Sequence, residues 1–151
     1  MALFKNYYYI CFFFDKIKHK FLLVFSGEHY MKSDDLKPEK FNESDIKKKL
    51  FEDRWVRFAF GPQGIVNTKD LNLGIVEFDK DKTSLSHSHE VEESLYVLAG
   101  KGVVEVGGTN YNVKKGDFLY VPENTEHSIM TGNNSRLRIF FVFGGKINIK
   151  Y

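Results

Sequence analysis

Short apolar segments follow one another along the chain, beginning near residue 55. They are rich in β-branched and aromatic residues, and Gly, Pro, Asn or Asp separates them, as is typical of β-strands joined by turns. The pattern predicts seven strands, at residues 55–60, 71–78, 95–106, 109–113, 117–121, 127–130 and 136–143. Gly107-Gly108 predicts a two-residue hairpin between two of them. Closely spaced strands with little helix favour an all-β fold, an antiparallel sandwich or barrel.

The segment that precedes these strands is polar. Residues 31–54 are predicted to form an N-terminal arm with one short helix, from about Ser44 to Asp53. Ser44 is a candidate N-cap, and Ile46, Leu50 and Phe51 recur at helical spacing. The basic run of three lysines at 47–49 lies among acidic residues, and we interpret it as a solvated face.

The first thirty residues differ from the rest of the chain in their high aromatic content. The apolar stretch at 7–14 is too short to span a bilayer, and no small-residue cleavage site follows it closely. Phe, Tyr, Lys, Asn and Ile are residues that AT-rich DNA encodes by default. Our hypothesis is that translation starts at Met31 and that residues 1–30 are upstream DNA read in frame. The alternative is an aromatic appendage that is buried on the domain or on a partner.

Length, charge and cysteine content narrow the class of protein. A chain of 151 residues suits one domain with a substantial core. The net charge is +2 with acids and bases well mixed, so the chain lacks the basic stripe of a nucleic-acid-binding protein. We expect neither a nucleic-acid nor a membrane partner. Cys11 is the single cysteine, which excludes an intrachain disulfide and fits a cytoplasmic protein.

Two histidines and a glutamate precede the strand at 95–106. His87, His89 and Glu93 are all odd-numbered, and side chains two residues apart share a face of a strand. The core-type residues Leu95 and Val97 continue that face, so these polar groups are predicted to point into the barrel. A buried carboxylate is costly unless it is paired or bound to a metal.

A further histidine begins the strand at 127–130. From Met31 onward the chain has three histidines, at 87, 89 and 127. Any one of them alone is more commonly a structural residue. Imidazoles and a carboxylate together form a typical transition-metal ligand set, so the group predicts a metal site.

The spacing of these residues resembles the two sequence motifs of the cupin family. His87-Ser88-His89, three residues, Glu93, six residues and Gly100 are similar to the first motif. Gly116, five residues, Pro122 and then His127 are similar to the second. The chain departs from the motifs at positions that are not ligands: Asp81 replaces a Gly, Asn124 replaces the Gly after the proline, and Thr131 replaces the final Asn.

The resemblance implies a small jelly-roll β-barrel, over residues 55–151, with one metal in its mouth. Its ligands would be His87, His89, Glu93 and His127. Cupins of this size are often dimers, so the resemblance also implies a homodimer.

Some neighbouring residues allow alternative interpretations. Glu92 as the ligand instead of Glu93 would break the motif spacing, and we interpret it as a solvated rim residue. Val56, Phe58 and Phe60 form the more uniformly apolar face of their strand and are the predicted core face. Arg57, on the other face, is more commonly an exposed residue, although an anionic substrate at the mouth could bind it. One of the two residues at 140 and 141, both Phe, should line the cavity.

The proposed ligands leave two broad classes of function open. Three neutral imidazoles and one carboxylate give a divalent metal a net charge of +1, and four ligands in an octahedral frame leave two open positions. Mn, Fe, Co, Ni and Zn all suit this set. One class is a metal-dependent dioxygenase, isomerase, decarboxylase or lyase, for which no catalytic residue is predicted. The other is a non-catalytic barrel that binds a small sugar or organic acid.

Overall fold

The computed structural model describes residues 40–145 and residue 147, and these residues form a nearly all-β structure. The predicted extension at 1–30, the predicted start at Met31 and the arm as far as residue 39 lie outside the described residues. The strands are β1 (Lys49–Leu50), β2 (Arg54–Phe60), β3 (Asn72–Phe78), β4 (Glu93–Val106), β5 (Thr109–Lys114), β6 (Phe118–Val121), β7 (His127–Thr131) and β8 (Leu137–Phe143). The seven predicted strands correspond to β2–β8, and every pairing between the strands is antiparallel, as predicted.

The long strand β4 belongs to both sheets of the barrel. Its first part, as far as Gly100, pairs with β8 and β6, in the sheet that continues through β3, β2 and β1. Its second part, from Lys101, pairs with β5 and β7. Gly100 has a φ of +85°, and an added Cβ there would lie 1.8 Å from the Arg136 carbonyl oxygen. Glycine is therefore required where β4 changes partners.

The core lies on the inner faces of the strands. Buried and half-buried side chains alternate along β3 and β8, as expected when one face of each strand packs inside. Leu137 and Ile139 are fully buried, with 0% of their surface exposed. On β2, Val56 and Phe58 are buried and Phe60 is half-buried, so the predicted core face is confirmed.

The predicted helix from Ser44 to Asp53 is wrong. The chain forms a single 3₁₀ turn, Glu43–Asp45, and then pairs as β1 along the edge of β2. Asn42 caps the turn instead of Ser44, because its side chain accepts a hydrogen bond from the backbone N–H of Ser44. The capping box is completed by the Asp45 carboxylate, which accepts from the Asn42 N–H.

The spacing of the apolar residues in this arm was misleading. Ile46 leaves the turn with extended dihedral angles (φ −84°, ψ 121°), so the helix cannot continue. Ile46 is buried, whereas 74% of Leu50 is exposed, and the two residues do not share an apolar face. Pairing with β2 satisfies backbone groups of Lys49 and Leu50, which local helix propensity does not take into account.

Several of the connecting turns contain residues in the left-handed backbone conformation, with positive φ. Gly107 and Gly108 have φ values of +55° and +81°, which confirms the predicted hairpin and matches a type I′ turn. Asn124 has a φ of +55°, a conformation that asparagine adopts more readily than most residues. Within the described part of the chain, no helix has the length and apolar character needed to cross a membrane.

Candidate metal centre

Backbone hydrogen bonds bring the two histidine segments together. The N–H of His87 donates to the carbonyl of His127 at 3.0 Å, and the N–H of His127 donates to the carbonyl of His87 at 2.8 Å. The His89 carbonyl accepts from the N–H of Asn124 at 2.6 Å. The segment that carries His87 and His89 is therefore fixed against the turn that leads into β7.

The four predicted side chains lie together at the mouth of the barrel. The ring centroids are 4.3 Å apart for His87 and His127, 4.9 Å for His87 and His89, and 5.3 Å for His89 and His127. One nitrogen of each ring lies within 4.8 Å of the others. Glu93 Oε2 is 3.2 Å from His127 Nε2 and 3.8 Å from His89 Nε2. The assignment of these residues as metal ligands stays a prediction.

Two of the imidazoles are oriented by backbone carbonyl groups. The Nδ1 of His87 lies 3.0 Å from the Leu85 carbonyl oxygen, and the Nδ1 of His127 lies 3.0 Å from that of Thr125. A proton on each Nδ1 makes these contacts hydrogen bonds and leaves Nε2 with its lone pair. Histidine ligands of metals commonly have this arrangement.

Burial and crowding favour the neutral form of two imidazoles. Burial, together with the neighbouring imidazoles of His87 and His127, lowers the pKa of His89 to about 4. Burial also lowers the pKa of His87, and the Leu85 carbonyl only partly opposes this effect. Neutral imidazole is the form that binds metals, so His87 and His89 need not lose a proton to bind one at neutral pH.

His127 differs from the other two histidines. Burial opposes its charge, but hydrogen bonds to the Glu93 carboxylate and the Thr125 carbonyl outweigh burial and raise the pKa of His127. The nearby carboxylate of Glu126 adds to the effect. A metal at this position would therefore compete with a proton on His127.

Glu93 is a buried carboxylate whose ion-pair partners, in the part of the chain that the structure describes, are imidazoles. It is 7% exposed, and among the described residues its ion pairs are with His89 and His127. Neither partner carries a permanent charge. A divalent cation would compensate this buried carboxylate directly, so the residues present fit a metal ion.

Glu92 and Arg57, the two alternative site residues, bind other side chains. Glu92 accepts a hydrogen bond from the Tyr120 hydroxyl at 2.8 Å and is exposed, so Glu93 is the carboxylate that faces the imidazoles. Arg57 lies on the face of β2 opposite to the buried Val56 and Phe58 and binds Glu43 at 2.7 Å. Arg57 therefore does not face the mouth, and its interpretation as an anion-binding residue there is wrong.

Aromatic side chains of β8 form one wall of the site. The Phe143 ring lies 4.9 Å from the His89 ring and nearly perpendicular to it. Phe141 lines the adjacent cavity, whereas Phe140 has the opposite parity and is only half-buried. Sequence analysis did not identify Phe143. Its shared parity with the buried Ile139 was the signal that could have revealed it.

Comparisons with known proteins agree with this fold. The Cupin domain family model matches residues 74–143, which contain all four predicted ligands. The polyketide cyclase RemF from Streptomyces resistomycificus superposes with a TM-score of 0.65 at 20% identity, over 75% of this chain and 83% of that chain. Residues 74–143 therefore match a cupin domain, and the superposition agrees with the same fold.

Two lyases are among the similar proteins. Dimethylsulfoniopropionate lyase DddW of Ruegeria pomeroyi is 31% identical over 79 residues, which are 52% of this chain and 51% of that protein. The DMSP lyase DddQ of the same species superposes with a TM-score of 0.64 at 16% identity, over 71% of this chain and 60% of that one. The chain spans about half the length of the curated relatives it matches.

Proposed function

We propose that the mouth of the barrel binds one divalent transition metal and that the metal presents open positions to a small oxygenated ligand. The protein ligands would be His87, His89, Glu93 and His127. The observation that carries this proposal is the buried Glu93 carboxylate, which faces three converging imidazoles and has no permanently charged partner among the described residues. The homodimer and the cytoplasmic location expected from the sequence stay predictions.

The chain's own residues would prepare the site for the ligand. The carbonyl groups of Leu85 and Thr125 orient two imidazoles, and the Phe143 ring covers one side of a third. When bound, the metal would supply Lewis acidity and a template for an oxygen-bearing ligand. Mn, Fe, Co, Ni and Zn remain candidates because nitrogen and oxygen donors do not select among them.

A lyase that acts on a small organic acid is the enzymatic form of this proposal. It is favoured because DddW, which is named as a lyase of dimethylsulfoniopropionate, is similar to half of this chain. A barrel that binds such an acid without transforming it is the non-catalytic form. The two forms share the metal site and differ only in whether the ligand is consumed.

The first test is metal analysis of the full chain after reconstitution with each candidate metal. Glu93→Ala and His127→Ala are the ligand variants. Glu92→Ala is the matched control, because it removes an exposed carboxylate next to the site. We expect about one metal per chain in the wild type and in the control, and at least about 100-fold weaker binding in the ligand variants. Equal metal content in Glu93→Ala and Glu92→Ala, or no metal in the wild type, would contradict the proposal.

The second test separates the two forms. The metal-loaded protein is incubated with dimethylsulfoniopropionate, and the remaining substrate is measured beside the Glu93→Ala variant. Consumption by the wild type alone would support a lyase. Saturable binding of the compound without consumption would support the non-catalytic barrel.

A further inference from the structure

A row of apolar side chains crosses the outer face of the sheet that contains β3, β8, the first part of β4 and β6. Ile75 of β3 lies opposite Phe140 of β8 in the strand register. Phe140 lies opposite Tyr96 of β4, and Tyr96 lies opposite Phe118 of β6. Ile139, one position from Phe140, is fully buried, so the row faces away from the core. These four residues, here named the outer row, extend over about 14 Å.

The outer row is most exposed at its β6 end. Phe118 is 75% exposed, and its ring centroid lies 4.5 Å from that of Tyr96. Tyr120, the next residue of β6 on this face, is 58% exposed. Among the described strands β6 pairs with β4, so this end of the row lies at an edge of the sheet. Single exposed apolar residues are common, but neighbouring exposed rings on one face are typical of a surface that binds a partner.

The β2 end of the outer row is positively charged. Arg57 lies opposite Ile75 and extends the row by one strand. The Lys48 ammonium is 4.2 Å from the centroid of the Trp55 ring, and the Arg57 guanidinium carbon is 5.3 Å from the same centroid. Arg57 binds Glu43, whereas the ion pairs found within residues 40–145 do not involve Lys48. Lys48 therefore contributes an unbalanced positive charge at this end.

The β6 end of the outer row is negatively charged. The Tyr120 hydroxyl donates to the Glu92 carboxylate at 2.8 Å. This hydrogen bond raises the pKa of Tyr120, and the nearby charge of Glu123 also raises it. Glu92 and Glu123 are exposed, and neither takes part in an ion pair with another described residue. The two ends of one face therefore carry opposite unbalanced charges.

We propose that this face binds the same face of a second copy of the chain. A two-fold axis that lies in the plane of the face and crosses the outer row near Phe140 brings the β2 end of each copy opposite the β6 end of the other. A face whose two ends carry opposite charges is complementary to itself, which favours a second copy over a partner with charge of a single sign.

This arrangement buries the most exposed part of the outer row and balances both ends. The Phe118 ring leaves water, and Lys48 of one copy lies near Glu92 and Glu123 of the other. The four predicted metal ligands are on the inner face, so the inference is independent of the proposed metal site.

The first test measures the dimer dissociation constant of the full chain by sedimentation equilibrium. Phe118→Ser removes a ring from the outer row and should weaken the dimer at least about 10-fold. Because Phe118 is 75% exposed, the serine variant should keep its fold. Tyr111→Ser is the matched control, since it removes a ring that is 43% exposed on β5, in the other sheet. We expect the control to dimerise like the wild type.

The second test exchanges the charges at the two ends of the face. Lys48→Glu and Glu123→Lys should each weaken the dimer, because each brings like charges together twice, once on either side of the axis. The double variant restores opposite charges, and its dissociation constant should return to within about threefold of the wild-type value.

Three outcomes would overturn this inference. A wild type that stays monomeric up to about 100 μM would mean that another part of the chain or another protein covers the face. Equal weakening by Phe118→Ser and Tyr111→Ser would mean that the dimer does not depend on the outer row. A double charge variant that dimerises no better than the single variants would rule out the two-fold pairing of the two ends. Metal affinity is measured separately, so failure here is distinguishable from failure of the proposed function.

Discussion

The sheet that contains β2, β8 and the first part of β4 pairs its charged side chains differently on its two faces. On the outer face, Arg57 and Arg138 each bind one oxygen of the Glu43 carboxylate, with 2.7 Å between Arg57 and Glu43. Three cationic groups also lie over the Trp55 ring, at 4.2 Å for Lys48, 5.3 Å for Arg57 and 5.6 Å for Arg138. On the inner face, at the mouth, the ion-pair partners of Glu93 within residues 40–145 are imidazoles.

The difference indicates which group of polar residues requires a ligand. On the outer face a permanent negative charge meets permanent positive charges, and these ion pairs attach the 3₁₀ turn that contains Glu43 to the sheet. At the mouth, burial and crowding lower the pKa of His89 to about 4, whereas the hydrogen bond to Glu93 outweighs burial and raises the pKa of His127. A proton on His127 is therefore the competitor of a cation for this carboxylate. The outer network pairs charges of the chain itself, whereas the proposed function would complete the inner cluster with a cation from solution.

The largest expected effect is on stability. It compares Ile139, on the inner face of β8, with Phe140, on the outer face. Ile139→Ala should lower the free energy of unfolding by about 2–5 kcal/mol, because it leaves a cavity in the core. Phe140→Ala should cost less than about 2 kcal/mol, because this side chain is on the outer face and half-buried. Urea denaturation of both variants measures the difference. Equal losses would show that the outer face is packed as tightly as the core.

The next effect is on metal affinity. It compares Glu93, which is buried, with Glu43, which is half-buried. Glu93→Gln should weaken metal binding at least about 100-fold, or about 3 kcal/mol, because it removes the carboxylate that lies 3.2 Å from His127 and 3.8 Å from His89. Glu43→Gln should leave the metal affinity unchanged. Competition with a coloured chelator gives both affinities. A similar loss in Glu43→Gln would mean that the two faces are coupled.

The pH dependence of the metal-free protein gives a smaller effect. The pKa of His89 is lower in the folded protein than the ordinary value of 6.5, so its contribution to stability is present above pH 6.5 and is lost as the pH falls toward 4. The raised pKa of His127 acts in the opposite direction, since its contribution is lost as the pH rises through that raised pKa.

His89→Gln should therefore make the metal-free protein less sensitive to acid. Between about pH 7 and about pH 4.5, we expect the variant to lose roughly 2 kcal/mol less stability than the wild type. Urea denaturation across this range measures the difference, and His127→Gln is the matched variant with the opposite sign. An identical acid dependence in all three proteins would mean that the imidazoles titrate as they do in water.

The smallest effect concerns the stability of the outer network. Glu43→Gln should lower the free energy of unfolding by about 1 kcal/mol or less, because ion pairs near the surface contribute little. The loss should shrink in high salt, which screens the wild-type pairs. Denaturation at low and high sodium chloride concentration checks both statements. A large and salt-independent loss would indicate that Glu43 holds the arm through packing.

The strands and the shared face of the predicted ligands could be predicted because both depend on the residue pattern within a single segment. Alternation of period two is set by the geometry of a single strand, so the shared face of His87, His89 and Glu93 followed from their spacing. The hairpin followed from Gly107-Gly108 for the same reason.

Contacts between distant segments could not be predicted in this way. β1 pairs with β2 in a register that places Leu50 opposite Trp55, and this pairing replaces a helix whose spacing was satisfactory by itself. Glu43 lies between Arg57 and Arg138, which are on two strands separated by β3. The parity of Arg57 assigned it to the outer face but did not identify its partner.

The Gly107–Gly108 hairpin has a consequence for the order in which the protein folds. A hairpin between adjacent strands closes in about 1–10 μs, so β4 and β5 can pair early. His87 and His127 meet only after the intervening chain has returned to the start of β7, and such long closures are slow. We therefore expect the mouth to be completed late, after the rate-limiting step. A metal that binds the finished mouth would slow unfolding and leave the folding rate nearly unchanged.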